Sequence, residues 1–177
     1  MVFPVGKFLI LIFPVVVMTE PVVRTLYHSR FDVNELVTEV KGLVVPHPSI
    51  ITSVPRQLTI ALPMSTPDLD VALLEIQRNE CPNLQDMVPL QGVSLSSKEA
   101  SKFIGRGGKT IRWMIWRVKE AMGGQTFVPH PTVGPDLSKL DGTQVVYLKQ
   151  RHYDALTDAQ RAVYAETINK WLRDEEI

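Results

Sequence analysis

The sequence predicts an α+β fold in two halves, and three observations carry that prediction. Prolines are unevenly spread: seven interrupt residues 46–89, while residues 90–128 and 136–177 hold none, so long helices are permitted in those two windows. Asp32 with Glu35, Ser96 with Glu99, and Thr157 with Gln160 each have the capping-box spacing that starts a helix. Between these signals lie short apolar runs of strand length. The 177 residues suffice for one medium domain or two small ones. The expected division is an amino-terminal α+β domain over residues 1–82 and a second domain over residues 87–177, joined by a linker at 80–87.

Composition excludes several classes of protein. The chain is 45% hydrophobic and 21% charged, which rules out a disordered tail, a collagen-like repeat and a multi-span membrane protein. Lys plus Arg balances Asp plus Glu at 19 each, so only local charge bears on partners. The single cysteine, Cys81, has no internal disulfide partner, fits a reducing compartment and leaves no cysteine-based zinc site. A cytoplasmic location is expected, with no membrane partner.

Residues 8–18, FLILIFPVVVM, are too short to span a bilayer as a helix, and Pro14 interrupts them. Phe8 to Phe13 reads as a buried strand. The alternatives are a leader, against which stands the lack of a small-x-small cleavage site, and an upstream extension ahead of Met18. Residues 32–41 read as a helix with Val33, Leu36, Val37 and Val40 on one stripe and Gly42 at its end. Residues 57–62 alternate like a strand. Thr66 then caps a helix with Pro67 at its first position, running to about Asn79.

In the second half, residues 87–95 read as a strand and Ser96 opens a short helix. A glycine-rich turn follows at 105–108. Residues 109–122 form a helix ended by Gly123-Gly124, residues 125–128 a strand, 129–142 a loop and 143–149 a strand. Thr157 opens a final helix with Tyr164, Ile168, Trp171 and Leu172 on one face. The order is strand, helix, helix, strand, strand, helix.

The chemistry concentrates in Phe103-Ile104-Gly105-Arg106-Gly107-Gly108-Lys109-Thr110-Ile111-Arg112. Glycines let a backbone bend tightly and approach a sugar-phosphate chain without a Cβ between them. The bend leads into a helix N-terminus, where unpaired N–H groups and the helix dipole favour phosphate. Residues 96–124 carry seven basic side chains (Lys98, Lys102, Arg106, Lys109, Arg112, Arg117 and Lys119) against Glu99 and Glu120. That clustering within a neutral chain is the footprint of a phosphate-binding surface. A nucleotide-triphosphate loop would need glycine at position 103, which is phenylalanine, and a strand before the turn.

An apolar helix end, a G-x-x-G turn and a basic-apolar helix start resemble the KH domain. The resemblance spans about residues 87–175, in the type I order β-α-α-β-β-α, which implies a three-stranded sheet with three helices. It implies that Gly105, Arg106, Gly107, Gly108, Lys109 and Arg112 clamp the backbone of about four unpaired nucleotides. Ile104, Ile111 and Phe127 would then form the apolar floor under the bases. The implied partner is single-stranded RNA, with single-stranded DNA as the alternative.

Trp113 and Trp116 fall opposite the apolar stripe of their helix, beside Glu120. An adjacent exposed pair of tryptophans marks a contact. They are expected to form a protein interface, docking on the amino-terminal half, with base stacking as the lesser alternative. The rival to RNA binding is therefore an assembly module of a ribonucleoprotein or viral particle, self-association included. No paired nucleophile and base, metal-ligand spacing or cofactor loop is present, so a non-enzymatic protein without catalytic residue, metal or cofactor is expected. His47 and His130 lie between prolines with no second ligand at helical spacing.

Val45-Pro46-His47-Pro48 resembles Val128-Pro129-His130-Pro131 at an offset of 83 residues. At that offset Phe8–Ile12 aligns with the strand before Ser96, and residues 32–41 align with the second helix of the glycine turn. Residues 5–80 then read as a divergent KH-like copy without the turn, its place taken by Val22-Val23-Arg24-Thr25. The alternative is a chance Pro-His-Pro pair in two αβ halves.

Overall fold

A computed structural model describes residues 20–30, 32–44, 46–54, 56–124 and 127–174. The fold is α+β, with two three-stranded antiparallel sheets and six α-helices among the described residues. The first half runs β1 (Val22–Tyr27), α1 (Asn34–Leu43), β2 (Ser49–Val54), β3 (Gln57–Leu62) and α2 (Pro67–Glu80). The second half runs β4 (Met87–Pro89), α3 (Ser97–Ile104), α4 (Lys109–Ala121), β5 (Thr132–Pro135), β6 (Gln144–Lys149), α5 (Gln150–Asp154) and α6 (Asp158–Leu172). In each sheet the last strand in sequence lies in the middle: β1-β3-β2 and β4-β6-β5.

Side-chain period explains both central strands. On β3 Leu58, Ile60 and Leu62 alternate into a core built with Leu26, Leu36 and Val40, and with Leu73 and Ile76 of α2. The intervening residues are half-buried, so this sheet buries one face most deeply. On β6 both faces are covered. Val146 and Leu148 meet the helices, while Val145 and Tyr147 meet Cys81 and Leu84. That is why QVVYLK reads as a nearly unbroken apolar run. Each such fully buried side chain contributes about 1.5–3 kcal/mol.

The predicted caps at three helices are present. Thr66 Oγ1 accepts from the Leu69 amide, and Ser96 and Thr157 form reciprocal capping boxes with Glu99 and Gln160. Gly123 and Gly124 close α4, their amides donating to the carbonyls of Glu120 and Lys119. Tyr164 is buried and donates to the Pro129 carbonyl at 3.0 Å, tying α6 to the segment before β5.

Several expectations are corrected. Of the strand expected at 125–128, residues 125 and 126 lie outside the described residues and 127 and 128 are not in a strand; β5 is formed by Thr132–Pro135, inside the expected loop. Pro129 and Pro131 lack amides, so the ladder begins at Thr132, and Gly134 fits against Leu84 where a Cβ would stand 2.5 Å from Cδ1. The helix at 32–41 begins two residues later and lacks its capping box. Asp32 accepts from the Asn34 amide at 2.9 Å, and Glu35 turns to Arg30. The ladder of β4 stops at Pro89, although Leu90 and Leu95 still bond to Val146 and Gln144. Residues 80–87 are a folded joint containing a 3-10 turn at Pro82–Leu84 and buried Cys81. Burial pushes that thiol up to about 11. The short helix α5 was not foreseen. Residues 22–25, aligned with the glycine turn at the offset of 83, lie in β1, so that register fails. The expected strand at Phe8–Phe13 lies outside the described residues.

The halves are fastened through the loop between β5 and β6. Leu140 inserts into the amino-terminal core, and its carbonyl accepts from Thr25 N at 2.7 Å. Gln77 Nε2 donates to the carbonyls of Lys139 and Asp136. Tyr27 Oη donates to the Gly142 carbonyl at 3.0 Å, lies 2.9 Å from Ser97 Oγ and accepts from Gln144 Nε2.

Candidate nucleic-acid interface

The turn is held between two anchored helices. The capping box fixes the start of α3, and two hydrogen bonds from Ser96 hold the Glu99 carboxyl below its ordinary range. Phe103 is buried edge-on against Trp171, with ring centroids 5.8 Å apart. The chain then leaves the helix at Gly105, with φ 68° and ψ 170°, a combination confined to glycine. A Cβ there would fall 2.9 Å from the Thr110 backbone nitrogen and against its hydroxyl. Gly107 and Gly108 also have positive φ, and the Gly108 amide donates to the Gly105 carbonyl at 3.1 Å. Thr110 packs under the bend, a role that residue type alone did not signal.

The start of α4 differs from those of α2, α3 and α6. Its N-cap is Gly108, which has no side chain to accept from the first-turn amides. Arg106, Lys109 and Arg112 are exposed around it. Arg112 lies along Gly108, its Nη1 3.2 Å from where a Cβ would stand. Among the described residues these three cations have no acidic partner. Of the other basic residues in the cluster, Lys102 pairs with Asp174 and sits over Trp171, Arg117 pairs with Glu120, and Lys98 and Lys119 have no acidic partner among the described residues. Three of these five unpaired cations thus stand at the turn, where helix dipole and glycine backbone already favour an anion.

The apolar candidates separate. Ile104 is 42% exposed at the lip of the turn. Ile111 is 5% exposed and belongs to the core, so it backs the turn from beneath instead of offering a surface. Phe127 is 66% exposed, and its ring partner is His152 of α5 at 5.5 Å.

Trp113 and Trp116 are 41% and 51% exposed. The expectation that they dock on the amino-terminal half is corrected for the described residues, 20 onward. The described residues of that half are held by Leu140, Tyr27 and Gln77, and none of them covers the outer face of α4. Arg117 lies 5.7 and 5.6 Å from the two ring centroids, a clamp that its position four residues after Trp113 foreshadows. His47 and His130 each have Nδ1 against a backbone carbonyl, of Lys41 and Pro131 respectively. Among the described residues no group of three or more His, Cys, Asp or Glu side chains is placed to hold a metal, and no helix is long and apolar enough to cross a membrane. A scan against protein-family models finds no match for the chain, and a search of curated proteins finds none.

Proposed function

We propose that this protein binds single-stranded RNA through the turn at residues 105–108, in the manner implied by the resemblance to type I KH domains. The observation that carries the reading is the exposed, three-glycine bend at the uncapped start of α4, ringed by Arg106, Lys109 and Arg112, which have no acidic partner among the described residues. The sheet order β4-β6-β5, with α3 and α4 between its first two strands and α6 after its last, supports the same reading. The matching order β1-β3-β2 supports a divergent copy in the amino-terminal half. Phosphates would meet the backbone at Gly107 and Gly108, while the three cations neutralise them. Ile104 would bed a base beside the turn.

The rival assembly reading has one observation in its favour, the exposed tryptophan pair. The variant R106D/G107D separates the two. A Cβ at Gly107 meets nothing within 4 Å, and Asp tolerates its left-handed conformation, so the fold survives. The exchange removes one positive charge at the turn and adds two negative ones. Fluorescence anisotropy with labelled RNA should show affinity reduced about 100-fold or more, with the circular dichroism unchanged. Unchanged affinity would refute the site. Self-association without nucleic acid in the purified protein would favour assembly.

A further inference from the structure

The turn leaves one prominent surface unexplained. The outer face of α4 presents Lys109, Arg112, Trp113, Trp116, Lys119 and Glu120, all exposed. Arg117 sits within cation–π distance of both indoles and is held by Glu120 at 3.2 Å. The rings are therefore braced in place while about half of each stays in solvent. At 1.5 Å per residue, Trp113 and Trp116 stand about 6 and 10 Å along the helix from Lys109. They are continuous with the turn.

The chemistry of this face favours one occupant. Protein-docking cores are depleted in lysine. Here indoles alternate with cations, and Arg112 and Lys119 have no acidic partner among the described residues. Aromatic faces set among unpaired cations suit a polyanion whose units carry flat rings. We infer that Trp113, Trp116 and Arg117 form a stacking platform for bases of the same RNA strand that the turn grips, lengthening the site beyond the nucleotides clamped at residues 105–108. The inference rests on the proposed reading of the turn.

The test uses the full chain, the variant W113A/W116A and labelled random-sequence RNA pools of about four and about twelve nucleotides, within the span of single-strand sites. Both tryptophans are exposed, and circular dichroism verifies the fold of the variant. The wild type should bind the longer pool more tightly. W113A/W116A should bind the longer pool about 10- to 100-fold more weakly than the wild type, with affinity for the shorter pool unchanged. Wild-type affinity of the variant for both pools overturns the platform and leaves the turn standing. Loss of self-association by sedimentation, with RNA binding unchanged, overturns it in favour of a protein interface. Binding of neither pool by the wild type overturns the reading of the turn and the platform with it.

Discussion

The two halves share a strand order, yet they treat the first strand-to-helix passage in opposite ways. In the second half, α3 and a glycine bend separate β4 from α4, and Arg106, Lys109 and Arg112 stand free of carboxylates among the described residues. In the first half, β1 leads to α1 through residues 28–33, with no intervening helix among the described residues. The cation there, Arg30, is taken up by Glu35, Glu39 and Glu80, at 3.6, 3.1 and 2.6 Å. The same sheet can therefore underlie a glycine bend ringed by unpaired cations or a connection whose charge is satisfied internally. The difference lies in the connection, and in whether its cations have partners.

The largest way to break this comparison after R106D/G107D is at Gly105. Gly105→Ala forces a left-handed, extended backbone on a residue with a Cβ and drives that Cβ into Thr110. We expect a loss of about 2–4 kcal/mol by chemical denaturation, together with loss of RNA binding. A variant of wild-type stability would show that the bend is not fixed as described.

Arg30→Ala should have a smaller effect and of a different kind. It leaves the buried Glu80 carboxylate without its partner, costing about 1–3 kcal/mol while RNA affinity stays unchanged. Reduced affinity would mean that the first half contributes to binding directly.

The smallest effect concerns acid. Hydrogen bonds from Arg24 hold the Asp70 carboxyl below its ordinary range. A lowered folded-state value means that the stabilisation is complete above the free carboxylate value of about 3.9 and is lost as pH falls through the folded value. Arg24→Met should therefore flatten the stability profile below about pH 4. An unchanged acid limb would exclude this pair as a contributor.

What the sequence revealed was local. The caps at Thr66, Ser96 and Thr157 each act within three residues, and the bend is written in three glycines within four residues, so both are legible. What it hid was made by distant partners. Leu140 is one apolar residue in a polar loop, and only the fold shows that it completes the other half's core. Glu35 has capping-box spacing but does not cap, because Arg30, which also binds Glu39 and Glu80, draws its carboxylate away. The position of β5 is not local in the sequence, because its pairing depends on β6 and on the close fit of Gly134 under Leu84. The resemblance implies Ile111 in the binding floor, but the residue shares the apolar stripe of its helix with Met114 and Val118 and lies in the core.

The most direct test of the central claim is the salt dependence of RNA affinity for the wild type and for Lys109→Ala. Lys109 is exposed beside the turn and unpaired among the described residues, so its removal should leave stability unchanged. If it neutralises a phosphate, the slope of log affinity against log salt should fall by about 0.7, with weakening across all RNA sequences. An identical slope in both proteins would contradict the account, because phosphate would then not be held at this turn.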